Sequence, residues 1–150
     1  MAYLTMNSPF GPLTIFEDND SIIVLEWGRA ENPEPTALLE TARDQLDEYF
    51  DAKRKDFDLP LAPRGTAFQC AVWDQMRRIP YGQVKTYGDV ARSLNSAPRA
   101  VGGACGRNPI PIIVPCHRII ASNGNLGGFS GFAGPETKRA LLRLEGYSMP

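Results

Sequence analysis

A chain of 150 residues fits one domain or two small ones and can bury a core without covalent staples. Its three cysteines, Cys70, Cys105 and Cys116, are too few and too odd in number for a disulfide framework, and neither a charged-then-apolar leader nor a long apolar run supports secretion or membrane insertion. The net charge of −1 conceals a division: residues 1–62 carry 5 Lys+Arg against 13 Asp+Glu, giving −8, whereas residues 63–150 carry 11 against 4, giving +7. Such asymmetry points the second part toward a polyanion.

Near the start, Tyr3–Met6, Leu13–Phe16 and Ser21–Trp27 are short runs rich in strand-forming residues. Turn chemistry separates them at Pro9–Pro12 and Glu17–Asp20, so a small antiparallel meander is expected. From Pro35 to about Phe50, the residues Leu38, Leu39, Ala42, Leu46, Tyr49 and Phe50 recur at helical spacing, and the helix should cover one face of the sheet. The Pro60–Gly65 stretch reads as a linker between an N-terminal domain, 1–62, and a C-terminal domain, 63–150.

Thr66-Ala67-Phe68-Gln69 has the capping-box pattern, and a helix from there to about Arg78 presents Phe68, Val72, Trp73 and Met76. Pro80 and Gly82 stop it. Two short helical patterns come next, Tyr87 to Leu94 after a Thr86 cap and Pro98 to about Gly106 after Ser96. Only Asn95-Ser96-Ala97 lies between them, and two short helices joined by a tight polar turn in a basic region suggest a helix-turn-helix. The second helix, Pro98-Arg99-Ala100-Val101-Gly102-Gly103-Ala104-Cys105-Gly106, carries small side chains rather than the long polar ones that read a major groove. They suit a close approach of backbone to a minor groove, with Arg99 as the one long probe, or simply tight packing inside the protein.

The only histidine directly succeeds a cysteine, in Pro115-Cys116-His117-Arg118. A nucleophile, a base and a fixed cation thus occupy three consecutive residues. The alternative is a small cysteine buried in an apolar strand. If the segment is extended, Cys116 and His117 point to opposite faces, and a bridging water would have to carry a proton between them. Ala121–Asn125 resembles a hairpin turn, Leu126–Gly134 is too glycine-rich for regular structure, and Pro135 opens a last helix with Ala140, Leu141, Leu142 and Leu144 on its apolar face and Glu145 before the stop at Gly146.

Val101-Gly102-Gly103-Ala104, Asn108-Pro109, Pro115-Cys116-His117-Arg118, the Gly127–Gly131 loop and Leu142–Gly146 occur together in this order. As a set they resemble the O6-alkylguanine-DNA alkyltransferase family, the methylated-DNA-protein-cysteine methyltransferases, densely from about Gly65 to Gly146. The resemblance implies a ribonuclease-like α/β N-terminal domain and a mostly helical winged-helix C-terminal domain. It implies that Cys116 accepts the alkyl group irreversibly from O6-alkylguanine in double-stranded DNA, once per molecule, with O4-alkylthymine as a second candidate substrate. In that scheme His117 is the base, Glu145 orients it, Tyr87 donates to guanine N3, and Asn108 ties the recognition helices to the active-site segment. Ser130, Ile119, Phe129 and Gly131 line the substrate pocket. Arg99, Ala100, Gly102 and Gly103 face DNA, Arg99 filling the space left by the extruded base.

The resemblance implies no dissociable cofactor, and no metal is expected, an N-terminal zinc least of all, since His117 is the lone histidine and no cysteine precedes Cys70. A monomer is expected, acting in the cytoplasm of a bacterium or archaeon or in a eukaryotic nucleus. Three rival readings are a non-catalytic damage sensor, a thiol hydrolase or acyltransferase, and a sequence-specific regulator. Cys116 argues against the first, the +7 half against the second, and the scarcity of base-reading side chains against the third.

Overall fold

The computed structural model describes residues 1–124 and 134–147. The chain divides into two compact units, Met1–Arg64 and Gly65–Pro150.

In the first unit, β1 (Ala2–Met6), β2 (Leu13–Asp18) and β3 (Ser21–Trp27) form an antiparallel sheet in that order. Asn19 and Asp20 join β2 to β3 with φ of 50° and 62°, the left-handed pair that a two-residue hairpin turn requires and that Asn and Asp tolerate. Leu4, Leu13, Ile15, Ile22 and Leu25 are buried. Against β1 and β2 packs α1 (Ala37–Phe50), burying Leu39, Ala42, Leu46 and Tyr49. The helix begins at Ala37 rather than Pro35 because Thr36 is its cap, its hydroxyl accepting from Leu39 N while donating to Glu17.

The stretch expected to be a free linker is partly sheet-like. Ile22 N donates to Pro60 O at 2.8 Å and Ala62 N to Ile22 O at 2.9 Å, so residues 60–62 are tied to the edge of β3. Proline at 60 fits such an edge, which uses its carbonyl and needs no donor. Gln45 secures the preceding segment through both amide atoms, donating to Asp58 O and accepting from Asp58 N.

The second unit opens with α2 (Ala67–Arg77), whose Thr66–Gln69 capping box is complete. Next come β4 (Lys85–Thr86), α3 (Tyr87–Ser93) with a second capping box from Thr86 and Asp89, and α4 (Pro98–Gly106). No side chain caps α4: its N-cap is Ala97, not Ser96, and Pro98 in the first turn supplies the start. Asn95, at φ 52°, makes the turn between α3 and α4. Helices α2, α3 and α4 pack together, and Trp73 on α2, fully buried, donates its indole N–H to Ala104 O on α4 at 2.9 Å.

Residues 116–118 are a turn of 3-10 helix, leading into β5 (Ile119–Ile120). β5 runs parallel to β4, and Gly124 N closes a turn on Ala121 O; the hairpin turn expected over Ala121–Asn125 runs on into residues outside the described ones. The last helix, α5 (Pro135–Leu144), ends at Glu145. Its buried side chains are Thr137, Lys138, Leu141 and Leu142, whereas Ala140 and Leu144 are only half-buried. Among the described residues no helix is long and apolar enough to cross a membrane.

Candidate active site

Three segments of the second unit converge on one buried carboxylate. Glu145, at the end of α5, accepts from His117 Nε2 at 2.7 Å and from Arg118 Nη2 at 3.0 Å on Oε2, and from Arg118 Nε at 2.8 Å and Gly82 N at 3.2 Å on Oε1. Arg118 also donates to Ile79 O at 2.7 Å, anchoring it to the turn after α2. Gly82 stands at φ 79°, and a Cβ there would lie 3.0 Å from the Glu145 carbonyl oxygen. Only glycine offers both that backbone and that approach. Burial alone would raise the Glu145 pKa, but the hydrogen bonds and positive charge of its partners hold it well below the usual carboxylate range.

His117 is fully buried, and burial pushes its pKa below the ordinary value despite Glu145. It is therefore neutral at pH 7. With Nε2 facing the carboxylate, the proton sits on Nε2 and Nδ1 carries the lone pair. Nδ1 has no hydrogen-bond partner among the described residues.

Cys116 is 7% exposed, and burial raises its thiol pKa. A hydrogen bond from Asn108 and the charge of Lys138 pull the other way. The extended geometry expected for this segment is corrected by the 3-10 turn, in which neighbouring side chains diverge by about a third of a revolution rather than pointing to opposite faces. Pro111 and Pro115 break the apolar run 110–115 that would otherwise read as a strand. Asn108 shapes that loop: its Nδ2 donates to Val114 O at 2.8 Å and its Oδ1 accepts from Ile110 N at 3.0 Å. Within it, the fully buried Ile112 adopts φ 73°.

Tyr87, the first residue of α3, is half-buried, and burial together with Cys105 and Cys116 pushes its phenol up to about 12. Cys105 on α4 is likewise pushed up to about 12 by burial and by Cys116. Lys138 is a site residue that the motifs do not reveal. It is fully buried on α5, donates Nζ to Ile119 O, lies 5.7 Å from the Tyr87 ring centroid, and is brought down to about 8 by burial. A signal does exist in the sequence: Leu141 and Leu142 stand at i+3 and i+4, which places Lys138 on the inner face. The motifs likewise mark Arg118 only as a nearby cation and Gly82 only as a helix stop.

The structure thus brings Cys116, Asn108, Lys138 and Tyr87 together, with His117, Glu145 and Arg118 behind them. Ile119 is fully buried in β5. Ser130, Phe129 and Gly131 lie outside the described residues. On α4, Val101, Ala104 and Cys105 face inward, while Arg99, Ala100 and Gly103 are exposed and Gly102 is half-buried. A Cβ at Gly102 would rest 3.9 Å from the Tyr87 ring, and one at Gly103 would meet nothing, so internal packing does not require glycine at 103. Among the described residues no three His, Cys, Asp or Glu side chains cluster to hold a metal ion.

The chain thus joins a small α/β unit to a helical unit that buries a cysteine next to a histidine held by a carboxylate. Residues 1–63 match the ribonuclease-like domain of 6-O-methylguanine DNA methyltransferase, and residues 67–147 match its DNA-binding domain. A methylated-DNA–protein-cysteine methyltransferase of Methanosarcina acetivorans is 41% identical, covering 97% of this chain and 99% of the relative. The constitutive one of Bacillus subtilis is 43% identical, covering 97% and 96%. The crystal structure of Mycobacterium tuberculosis OGT in complex with DNA is similar with a TM-score of 0.87 at 42% identity, covering 97% of this chain and 92% of that one. The chain belongs to the methylated-DNA–protein-cysteine methyltransferase family.

Proposed function

We propose that this protein repairs double-stranded DNA directly, moving an alkyl group from guanine O6 to Cys116 Sγ in a single irreversible step. The observation that carries the reading is the buried Cys116 thiol flanked by Asn108 and Lys138, next to an imidazole whose Nε2 is held by Glu145 and whose Nδ1 has no partner among the described residues. The sulfur needs a base, and His117 is that base, held by Glu145 and reached through one water. The S–C bond forms as the C–O6 bond breaks; the thiol proton passes to His117, and the departing guanine takes a proton from Tyr87. Lys138, close to both Cys116 and Tyr87, favours the negative charge that develops on each. A thioether is not cleaved by water, so each molecule acts once.

The stacked base cannot reach a buried thiol and must be extruded. The exposed face of α4 supports this step. Gly103 and Ala100 permit close backbone approach, and Arg99 fills the vacated stack. Phosphate contacts from the basic half add affinity that falls with salt. The site of action is the compartment that holds the DNA, the cytoplasm in a bacterium or archaeon.

Intact-protein mass after incubation with O6-methylguanine duplex is expected to rise by one methyl group, on the peptide containing Cys116. An unchanged mass in folded protein would sink the reading. Cys116→Ser is expected to bind the lesion without gaining mass.

A further inference from the structure

We infer that Arg118 is a positioning residue whose charge, added to the effect of burial, keeps His117 neutral by sharing the carboxylate that orients the imidazole. The inference rests on His117 being the base for Cys116. A lone buried carboxylate beside an imidazole does two things: it fixes the ring, and it stabilises the imidazolium. The second strengthens the base as the thiol proton arrives, but unopposed it also leaves the resting ring protonated, and an imidazolium cannot take a proton from the thiol.

The fork separates these effects. Arg118 Nε and Nη2 engage Oε1 and Oε2 at 2.8 and 3.0 Å, and the side chain of Glu145 has no solvent exposure. Glu145 and Arg118 form a pair of zero net charge in front of a neutral ring. The guanidinium cannot swing away, since Nη1 is held by Ile79 O at 2.7 Å and Cζ lies 5.8 Å from the centroid of the Tyr81 ring. Among the described residues, the charged groups that act on His117 are Glu145 at the end of α5, Lys138 within α5 and Arg118 in its own turn; Tyr81, in the turn before β4, faces Glu145 and Arg118. Glu145 alone favours the imidazolium, and both cations oppose it.

The chain has a single histidine, so one imidazole resonance reports His117 without assignment. By NMR, in the absence of DNA, the unsubstituted protein is expected to show His117 in the Nε2-protonated tautomer, with its titration below the ordinary value of about 6.5. Titration at or above that value would overturn the inference. Arg118→Met is expected to raise the titration by about one pH unit or more, tenfold in the protonation equilibrium. The acid limb of the single-turnover transfer rate should move up with it, and the rate should recover above that limb because Glu145 still orients the ring.

A merely structural Arg118 would instead give a loss equal at every pH with no shift in the resonance. Arg118→Lys keeps a charge without the fork and is expected to hold the titration near its original position. If it titrates like the Met variant, or if Met leaves the titration unmoved, charge sharing is wrong. If the Met variant does not fold, Arg118→Gln, which keeps a donor to Glu145 without the charge, takes its place under the same criteria. These readouts need no alkyl transfer and so fail separately from the mass test.

Discussion

The two units bury different kinds of polar side chain. In Met1–Arg64 these are Thr14, Glu17 and Gln45, none carrying a buried positive charge; in the second unit they are His117, Arg118, Thr137, Lys138 and Glu145. Burying an ionised group is costly unless it is paired, and apolar residues of similar volume often pack as well or better. The first unit forms its core with a single buried carboxylate, Glu17, and no buried cation. In the second unit His117, Arg118, Lys138 and Glu145 are concentrated around Cys116, the acceptor of the proposed reaction.

Neutralising one buried carboxylate in each unit is expected to have very different effects. Glu145→Gln leaves Arg118 facing an amide, and is expected to destabilise the protein by about 3–5 kcal/mol and to slow alkyl transfer by at least about a hundredfold. Glu17→Gln keeps an acceptor for Thr36 and is expected to leave the transfer rate unchanged. Denaturant unfolding and single-turnover kinetics on the two variants measure both effects.

Ile15→Ala, in the first core, is expected to cost about 2–5 kcal/mol by the same unfolding assay. Its transfer rate per folded molecule should remain that of the unsubstituted protein. A matching fall in rate would mean that the acidic unit takes part in the chemistry.

Lys138→Met sharpens the contrast through pH. The lysine falls from 10.5 in the unfolded chain to about 8 in the folded one, so folded protein binds fewer protons between these values and its stability from this group rises with pH across that window. Below about pH 8 the burial penalty is fully present. The thiols Cys105 and Cys116, raised on folding, run in the opposite sense, and comparison with the variant removes their share. Relative to the unsubstituted protein, Lys138→Met is expected to lose about 2 kcal/mol of stability between about pH 7.5 and 10. A flat difference would place the lysine outside the buried site. The smallest effect is expected at the exposed Arg64–Asp18 pair, where Asp18→Asn should shift the unfolding midpoint within experimental error, and less still at high salt.

Much of the molecule is legible in its residues because local rules agree there. Alternation and turn residues define the meander and capping boxes define α2 and α3, whereas the roles given to Cys116, Glu145 and Tyr87 come from the family resemblance. The features that escape sequence reasoning are long-range. The pairing of Lys85–Thr86 with Ile119–Ile120 involves two residues a side, too few for a periodic signal. The attachment of residues 60–62 to β3 is a backbone affair that leaves no side-chain pattern. Lys138 sits among Glu136, Thr137 and Arg139, so its charge suggests a solvated face while its spacing to Leu141 and Leu142 says otherwise. The fork from Arg118 to Glu145 spans 27 positions and depends on a 3-10 turn within an apolar run.

Ile112 ties two demands to one position. A β-branched side chain at φ 73° holds a backbone that disfavours it by about 1–3 kcal/mol, yet that side chain is completely enclosed. Glycine would relax the chain and empty the space, whereas a bulkier apolar residue would fill the space and keep the strain. Neither substitution satisfies both demands at once. The sulfur four residues further along inherits a fixed address from a residue that lends it no chemistry.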